Sequence, residues 1–199
     1  SVVAAACYAA KMVREGGGFF ASSTEPVMIG QIQTVGVKDP HGAKMAVYAA
    51  KEEILKKANE QDPMLVSLGG GAKDLEVKVI NSQTGPMVIT ELHVDCRDIM
   101  GANAVNTMAE AVAPLIEKIT HGRVYLRIIS NLATKRLARA WCTVPKEAVG
   151  GEEVVDGIVQ AHAFAAADPY RAATHNKGIL NGVIGVVIAT CNDHRAVEA

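Results

Sequence analysis

The chain has 199 residues, 49% of them hydrophobic, and a formal net charge of -1 at pH 7. So apolar a sequence can fill one or two globular cores, while so small a charge cannot steer a polyanion, which argues against a nucleic-acid partner. Aromatic residues make up only 4% and glycine holds 18 positions, so close backbone packing is expected in place of a stacking surface.

Four cysteines, Cys7, Cys96, Cys142 and Cys191, lie far apart without a C-x-x-C pair. This signals neither a zinc site nor a disulfide scaffold and fits a reduced, cytoplasmic compartment, with Cys7, Cys96 and Cys142 as small buried hydrophobes. No stretch approaches the roughly 18 uncharged apolar residues of a membrane span, and no signal peptide is visible, so a soluble protein is expected. The sequence begins at Ser1 inside an apolar helical run and stops at Ala199 within another, which reads as an internal segment of a longer protein.

Val2–Arg14 reads as a buried helix stopped by Gly16-Gly17-Gly18, and Val27–Val37 alternates as a strand. Asp39-Pro40 opens a helical pattern from His41 to about Asn59, and Ser67–Gly71 is a glycine-rich loop. Strands follow at Asp74–Ile80 and Met87–Asp95 around a turn through Asn81–Gly85. Gly101–Ile119 is amphipathic, with Val105, Met108, Val112, Leu115 and Ile119 on one face, and Arg123–Ile129 is strand-like. Helical patterns then cover Asn131–Ala140, Val154–Ala167 and the segment past His175.

The order strand, helix, strand, strand, helix, strand predicts an α+β chain in which a ferredoxin-like βαββαβ domain is inserted into a larger, mainly helical one. The expected domains are 27–130 for the small unit, with 1–26 and 131–199 together forming the large one.

Reactive side chains concentrate in Asp168-Pro169-Tyr170-Arg171-Ala172-Ala173-Thr174-His175-Asn176-Lys177-Gly178, followed by Asn181 and by Cys191-Asn192-Asp193. A lysine among amides and glycine, with a carboxylate further on, could hold a reacting oxyanion. Spacing alone equally allows a solvated turn with Asp193 as a helix cap.

The Asp168–Ile179 segment resembles the substrate and lysine segment of class II 3-hydroxy-3-methylglutaryl-CoA (HMG-CoA) reductases. Asp98-Ile99-Met100-Gly101-Ala102-Asn103, with Asn106-Thr107-Met108-Ala109-Glu110, resembles their nucleotide-binding segment. The resemblance runs from Ser1 to the Arg195–Ala199 end. It implies an oxidoreductase that interconverts HMG-CoA and mevalonate plus coenzyme A by two hydride transfers with NAD(P)H.

In that resemblance Lys177 stabilises the oxyanion and Asp193 is hydrogen-bonded into the lysine's network. Arg171 grips the substrate carboxylate, a task that suits its forked guanidinium, and Ser1 and Asn181 make further substrate contacts. The Asp98, Met100, Gly101, Ala102 and Asn103 loop, feeding a helix start, is matched to the dinucleotide; on its own it would be a glycine-containing helix start. Asp62 falls where an acidic residue binds the adenosine ribose and repels a 2′-phosphate, which points to NADH and leaves NADPH open. No metal-ligand spacing is present, and the family's sites, built across subunits, imply a homodimer or larger homo-oligomer.

Two departures stand out. Cys191 and His194 replace the family's usual glycine and tryptophan around Asp193. The family's catalytic glutamate and flap histidine would fall before Ser1 and beyond Ala199, so the segment by itself is expected to be inactive. Two other readings compete: an RNA- or ligand-binding regulatory module, which would want aromatics on the inner strands, and another CoA-thioester enzyme, which would want a nucleophile beside a base. Neither feature is visible.

Overall fold

The computed structural model describes residues 2–198, which form two compact units: Ser23–Ala138, and the residues before and after it. In chain order the elements begin with α1 (Val2–Glu15), β1 (Phe19–Ser23), β2 (Val27–Val35), α2 (Pro40–Ala49), α3 (Lys51–Asn59) and α4 (Pro63–Ser67). The hairpin β3 (Gly71–Ser82) and β4 (Gly85–Asp95) follows, then α5 (Ala102–Thr120), β5 (Arg123–Ser130) and β6 (Ala138–Cys142). Last come α6 (Lys146–Val149), α7 (Glu152–Ala167), α8 (Pro169–Ala189) and α9 (His194–Glu198).

Within Ser23–Ala138 a four-stranded sheet of order β3-β4-β2-β5 is antiparallel throughout. Period-two alternation decides which face meets the helices. On β4 the side chains of Val88, Thr90, Leu92 and Val94 are fully buried, and Leu75 and Val77 of β3 and Ile32 of β2 join them. Against these pack Val47 of α2, Ile54 and Ala58 of α3, and Val105, Met108, Val112 and Ile116 of α5. Helix α5 can lie this close because position 30 has no side chain: a Cβ on Gly30 would sit 2.7 Å from Cγ1 of Val105.

Three helices start by one local rule. Asp39, Asp62 and Asp168 each precede a proline at the first helical position, and each carboxylate accepts the N–H three residues on, from Gly42, Leu65 and Arg171. Proline is pre-set for that position and the aspartate satisfies an orphan donor. In the other unit, α7 packs with α8, and β1 pairs with β6, where the Phe20 and Trp141 rings stack with centroids 6.0 Å apart.

Several expectations are corrected. The helix expected over 41–59 is two helices, broken at Ala50 (φ -93, ψ 11), and the Tyr48 hydroxyl just before the break accepts the Val77 N–H of edge strand β3 at 3.0 Å. The helix expected over Asn131–Ala140 is instead a loop leading into β6. Its backbone is drawn away by Thr24, whose N–H donates to the Leu137 carbonyl and whose hydroxyl accepts from the Leu137 N–H. Helix α1 forms where expected but is not buried: Val3 and Tyr8 stand in solvent, and among its described side chains only Val13 is buried. Cys7 and Cys142 are exposed rather than buried, and only Cys96 of the expected three lies in the core.

Leu92 is completely inaccessible at the centre of the sheet. Leu92→Ala should lower the unfolding free energy by about 2–5 kcal/mol, read as a drop in the urea midpoint at unchanged slope.

Candidate functional site

The residues Val27, Asp95 and Gly71 are register partners and mark one end of the four-stranded sheet. Two chain segments assembled from sequence expectations meet there. Asp62 caps α4 through a 2.9 Å bond from the Leu65 N–H to its Oδ1, and α4 runs directly into Gly69-Gly70-Gly71 at the start of β3. From the neighbouring strand, β4 leaves through Cys96 and Arg97 into the Asp98–Asn103 loop. Arg97 takes the left-handed conformation (φ 50), donates its N–H to Asp95 Oδ1 at 3.0 Å, and bonds through its guanidinium to the Gly69 carbonyl.

Helix α5 begins with Gly101 as its N-cap at φ 95, where no side chain caps the helix. The position demands glycine twice: the left-handed backbone disfavours a side chain, and a Cβ would lie 2.3 Å from Cys96 Sγ. Burial pushes the Cys96 thiol up, so it stays an uncharged wedge under the loop. Asp98, Met100 and Asn103 are exposed, Ala102 is half-buried and Gly101 buried. The first-turn N–H groups of a 19-residue helix are therefore left without an internal side-chain acceptor, the donor set that a phosphate or pyrophosphate needs. This donor set fits a dinucleotide's pyrophosphate.

The other expected residues lie on α8. Lys177 Nζ donates to Asn181 Oδ1 at 2.6 Å, one turn along the same exposed face. Arg171, six positions before Lys177, projects about a third of a turn away around the helix, and its guanidinium lies 5.9 Å from the Phe164 ring centre of α7. The segment is thus a continuous helix carrying Arg171, Lys177 and Asn181 instead of a solvated turn.

Asp193 does not join Lys177. Its carboxylate accepts from the Arg195 N–H at 3.0 Å and pairs with the Arg195 guanidinium at 3.2 Å, which holds the acid below the usual carboxylate range. The expected lysine network is absent because α8 runs on for twelve residues past Lys177, about 18 Å of rise, before the chain reaches Asp193, where a partner two residues away satisfies the carboxylate. Cys191 adopts φ 59, and its N–H and that of Asn192 bond back to Ile188 and Val187, closing α8 in the left-handed turn that glycine would favour. Ser1, also expected at the substrate, lies outside the described residues.

Sequence reasoning missed a polar group on the sheet face opposite the helices. Glu91 of β4 accepts from Gln31 at 2.9 Å and from Lys78 at 2.6 Å, with Glu76 and His93 close by. Both Glu91 oxygens are engaged, one by Gln31 and one by Lys78, so Glu91 is already satisfied where it lies beside Glu76 and His93. Burial alone would raise Glu91, yet the Lys78 and Gln31 bonds outweigh it and the acid ends below its ordinary range. His93 is pushed down by burial and by Lys135, and its buried Nε2 has no hydrogen-bond partner. Cross-strand pairing could have hinted at Glu76 opposite Glu91; the burial could not be foreseen. The inner strands β2 and β4 carry no aromatic residue, which leaves an RNA-stacking surface without its platform.

The family model described as hydroxymethylglutaryl-coenzyme A reductase matches residues 1–199. The chain is 61% identical over 199 residues to a 3-hydroxy-3-methylglutaryl-coenzyme A reductase of Archaeoglobus fulgidus, covering all of this chain and 46% of that protein. It is 32% identical over 210 residues to a probable 3-hydroxy-3-methylglutaryl-coenzyme A reductase of Borreliella burgdorferi, again covering all of this chain and 46% of that one. Among solved structures, the class II enzyme of Streptococcus pneumoniae bound to NADPH in open conformations aligns with a TM-score of 0.94 at 42% identity, over all of this chain and 49% of that chain. The chain therefore spans about half the length of the relatives it matches.

The polar network carries a pH signature. His93 has a lowered folded pKa, so the unfolded chain binds more protons near its ordinary value of 6.5; its contribution is full above that pH and is lost as pH falls through it. Glu91 adds a second loss, in the same direction, below about 4.5. Urea midpoints measured against pH should fall below 6.5 in the wild type and fall less in His93→Asn; parallel curves would remove His93 from this effect.

Proposed function

The chain belongs to the hydroxymethylglutaryl-coenzyme A reductase family, and from that premise we propose that the whole protein interconverts HMG-CoA and mevalonate plus coenzyme A using a nicotinamide dinucleotide. Residues 27–130 are assigned as a small ferredoxin-like dinucleotide-binding domain, supported by the antiparallel order β3-β4-β2-β5 with α5 crossing between β4 and β5. Residues 1–26 and 131–199 are assigned to the large substrate-binding domain.

The observation that carries the site assignment is the pairing of Lys177 with Asn181 on α8. A reduced nicotinamide bound here would supply one hydride, so the two successive reductions would consume two of them in turn. Lys177 presents a full positive charge to the carbonyl oxygen that becomes negative in both, so one side chain serves twice. Asn181 orients the ammonium through its amide oxygen. Arg171 sits about 9 Å of helical rise before Lys177, the reach of a substrate with a carboxylate at one end and a reacting thioester at the other. Asp193 is assigned to the lysine's network on the family resemblance; it follows the end of α8, about 18 Å of helical rise beyond Lys177, so joining it requires the segment after Ala189 to move as well as release from the exposed partner Arg195.

On the dinucleotide side, the backbone N–H groups at Gly101, Ala102 and Asn103 take the pyrophosphate, with Asp98 and Met100 flanking them. Asp62 takes the adenosine ribose and favours NADH over NADPH by charge. Among the described residues no helix is long and apolar enough to cross a membrane, and a cytoplasmic homodimer is the assembly proposed. Exposed Ile179, Val183, Val186 and Ile188 on α8, and Val3 and Tyr8 on α1, are apolar surface that such an assembly would cover.

The test is loss of reduced-nicotinamide absorbance by the full-length protein with and without HMG-CoA. Substrate-dependent oxidation is expected, and its absence with both NADH and NADPH would overturn the activity. Lys177→Ala should then cut kcat by roughly 10²–10³-fold, with CoA-ester binding retained. For the cofactor, Asp62→Asn keeps a good helix cap while removing the charge. It should shift the NADPH-to-NADH ratio of kcat/KM toward NADPH by about fivefold, the effect of a ~1 kcal/mol charge interaction at a half-exposed site.

A further inference from the structure

Resting on the assignment of the Asp98–Asn103 loop to the dinucleotide, we propose that Arg136 is a positioning residue for that cofactor, aiming the loop's backbone donors. Arg136 Nη1 donates to the carbonyls of Ile99 at 2.9 Å and Met100 at 3.2 Å, and Nη2 donates to the carbonyl of Arg97 at 3.3 Å. One half-buried guanidinium thus gathers three carbonyls from four residues of the loop.

The consequence follows from peptide geometry. In a planar trans peptide the N–H points opposite to the C=O of the same unit. Turning the Ile99 and Met100 carbonyls toward Arg136 therefore turns the N–H groups of Met100 and Gly101 away from it. Among the described residues neither of these N–H groups has a hydrogen-bond partner. They extend the uncapped first turn of α5 into one run of outward donors.

Arg136 also makes no ion pair among the described residues, so its charge stays available to the field around the loop. Its Arg97 bond reaches further, because Arg97 is tied to Asp95 and to the Gly69 carbonyl beyond α4. The two arginines link the segment behind Asp62 to the loop before α5, so the two dinucleotide contacts are held in fixed relation at one end of the sheet. A lysine cannot substitute, since a single ammonium does not span three carbonyls in a planar fork.

The experiment uses the full-length protein and NADPH as probe, with Arg136→Met, Arg136→Lys and, as reporter of the loop itself, Asn103→Glu. Arg136→Met and Arg136→Lys should each weaken NADPH binding roughly tenfold by direct fluorescence titration. The KM for nucleotide should rise in step and outweigh any fall in kcat, while the KM for the CoA ester stays within about twofold. Without ligand, exchange of the Arg97 and Ile99 amides, which are bonded to Asp95 and to the Cys96 carbonyl, should quicken in both variants. If the methionine variant does not fold, the lysine variant carries the test.

Wild-type NADPH affinity with unchanged exchange at Arg97 and Ile99 in the Arg136 variants would overturn the role of Arg136. Asn103→Glu places a negative charge in the first turn of α5 and should weaken NADPH binding more than either. Undiminished binding there would overturn the loop assignment and Arg136 with it, whereas loss there beside wild-type binding in the Arg136 variants would overturn Arg136 alone.

Discussion

The crossing of α5 over β2 at Gly30 is the contact on which the small unit depends. Because no side chain stands between them, Val105 seats directly on the strand, and the stripe Val105, Met108, Val112 and Ile116 closes the core against β4. The same approach dictates where the helix begins. Gly101 is pressed onto the buried Cys96 thiol, so the uncapped end of α5 emerges beside the end of β4 rather than out in solvent. A packing constraint in the core thereby leaves an uncapped, positively polarised helix terminus at the surface.

The two faces of β4 divide the work. Val88, Thr90, Leu92 and Val94 point to the helices, while Glu91, His93 and Asp95 point to the other face and are nevertheless almost fully buried. Such burial is tolerable for Glu91 only because Lys78 and Gln31 satisfy both oxygens. Asp95 is satisfied by Arg97, which turns a structural pairing into a handle on the neighbouring loop. His93, with an orphaned ring nitrogen, is the weak point of this face.

Helix α8 works on a different principle. Its first turn is locked by Asp168 and Pro169 and its last by the left-handed Cys191, which accepts backbone strain of the order of 1 kcal/mol that glycine would not incur. Between these stops the helix is continuous, so Lys177 and Asn181 share a face while Arg171 is set apart in both height and direction. A helix fixes such separations better than a loop does.

Much was legible from the residues alone. The alternation on β2 and β4, the apolar stripe of α5, and the two long motifs that carry the family resemblance all depend on neighbours within a few positions, and local periodicity reports which side of an element meets apolar surface. The Asp-Pro pair that opens α2 also opens α4 and α8, a signal available at Asp62 and Asp168 and passed over there. What needed the tertiary structure was every feature whose partner is distant in the chain. Thr24 turns 131–140 from helix to loop and strand, Tyr48 reaches Val77 across the sheet edge, and Arg136 gathers carbonyls from 97 to 100. The exposure of α1 and the pairing of Asp193 with Arg195 belong here too, since amphipathic pattern and charge identity do not say which surface or partner is within reach. Local sequence determines the conformational preference of each segment; only the assembled fold decides which hydrogen-bonding groups meet.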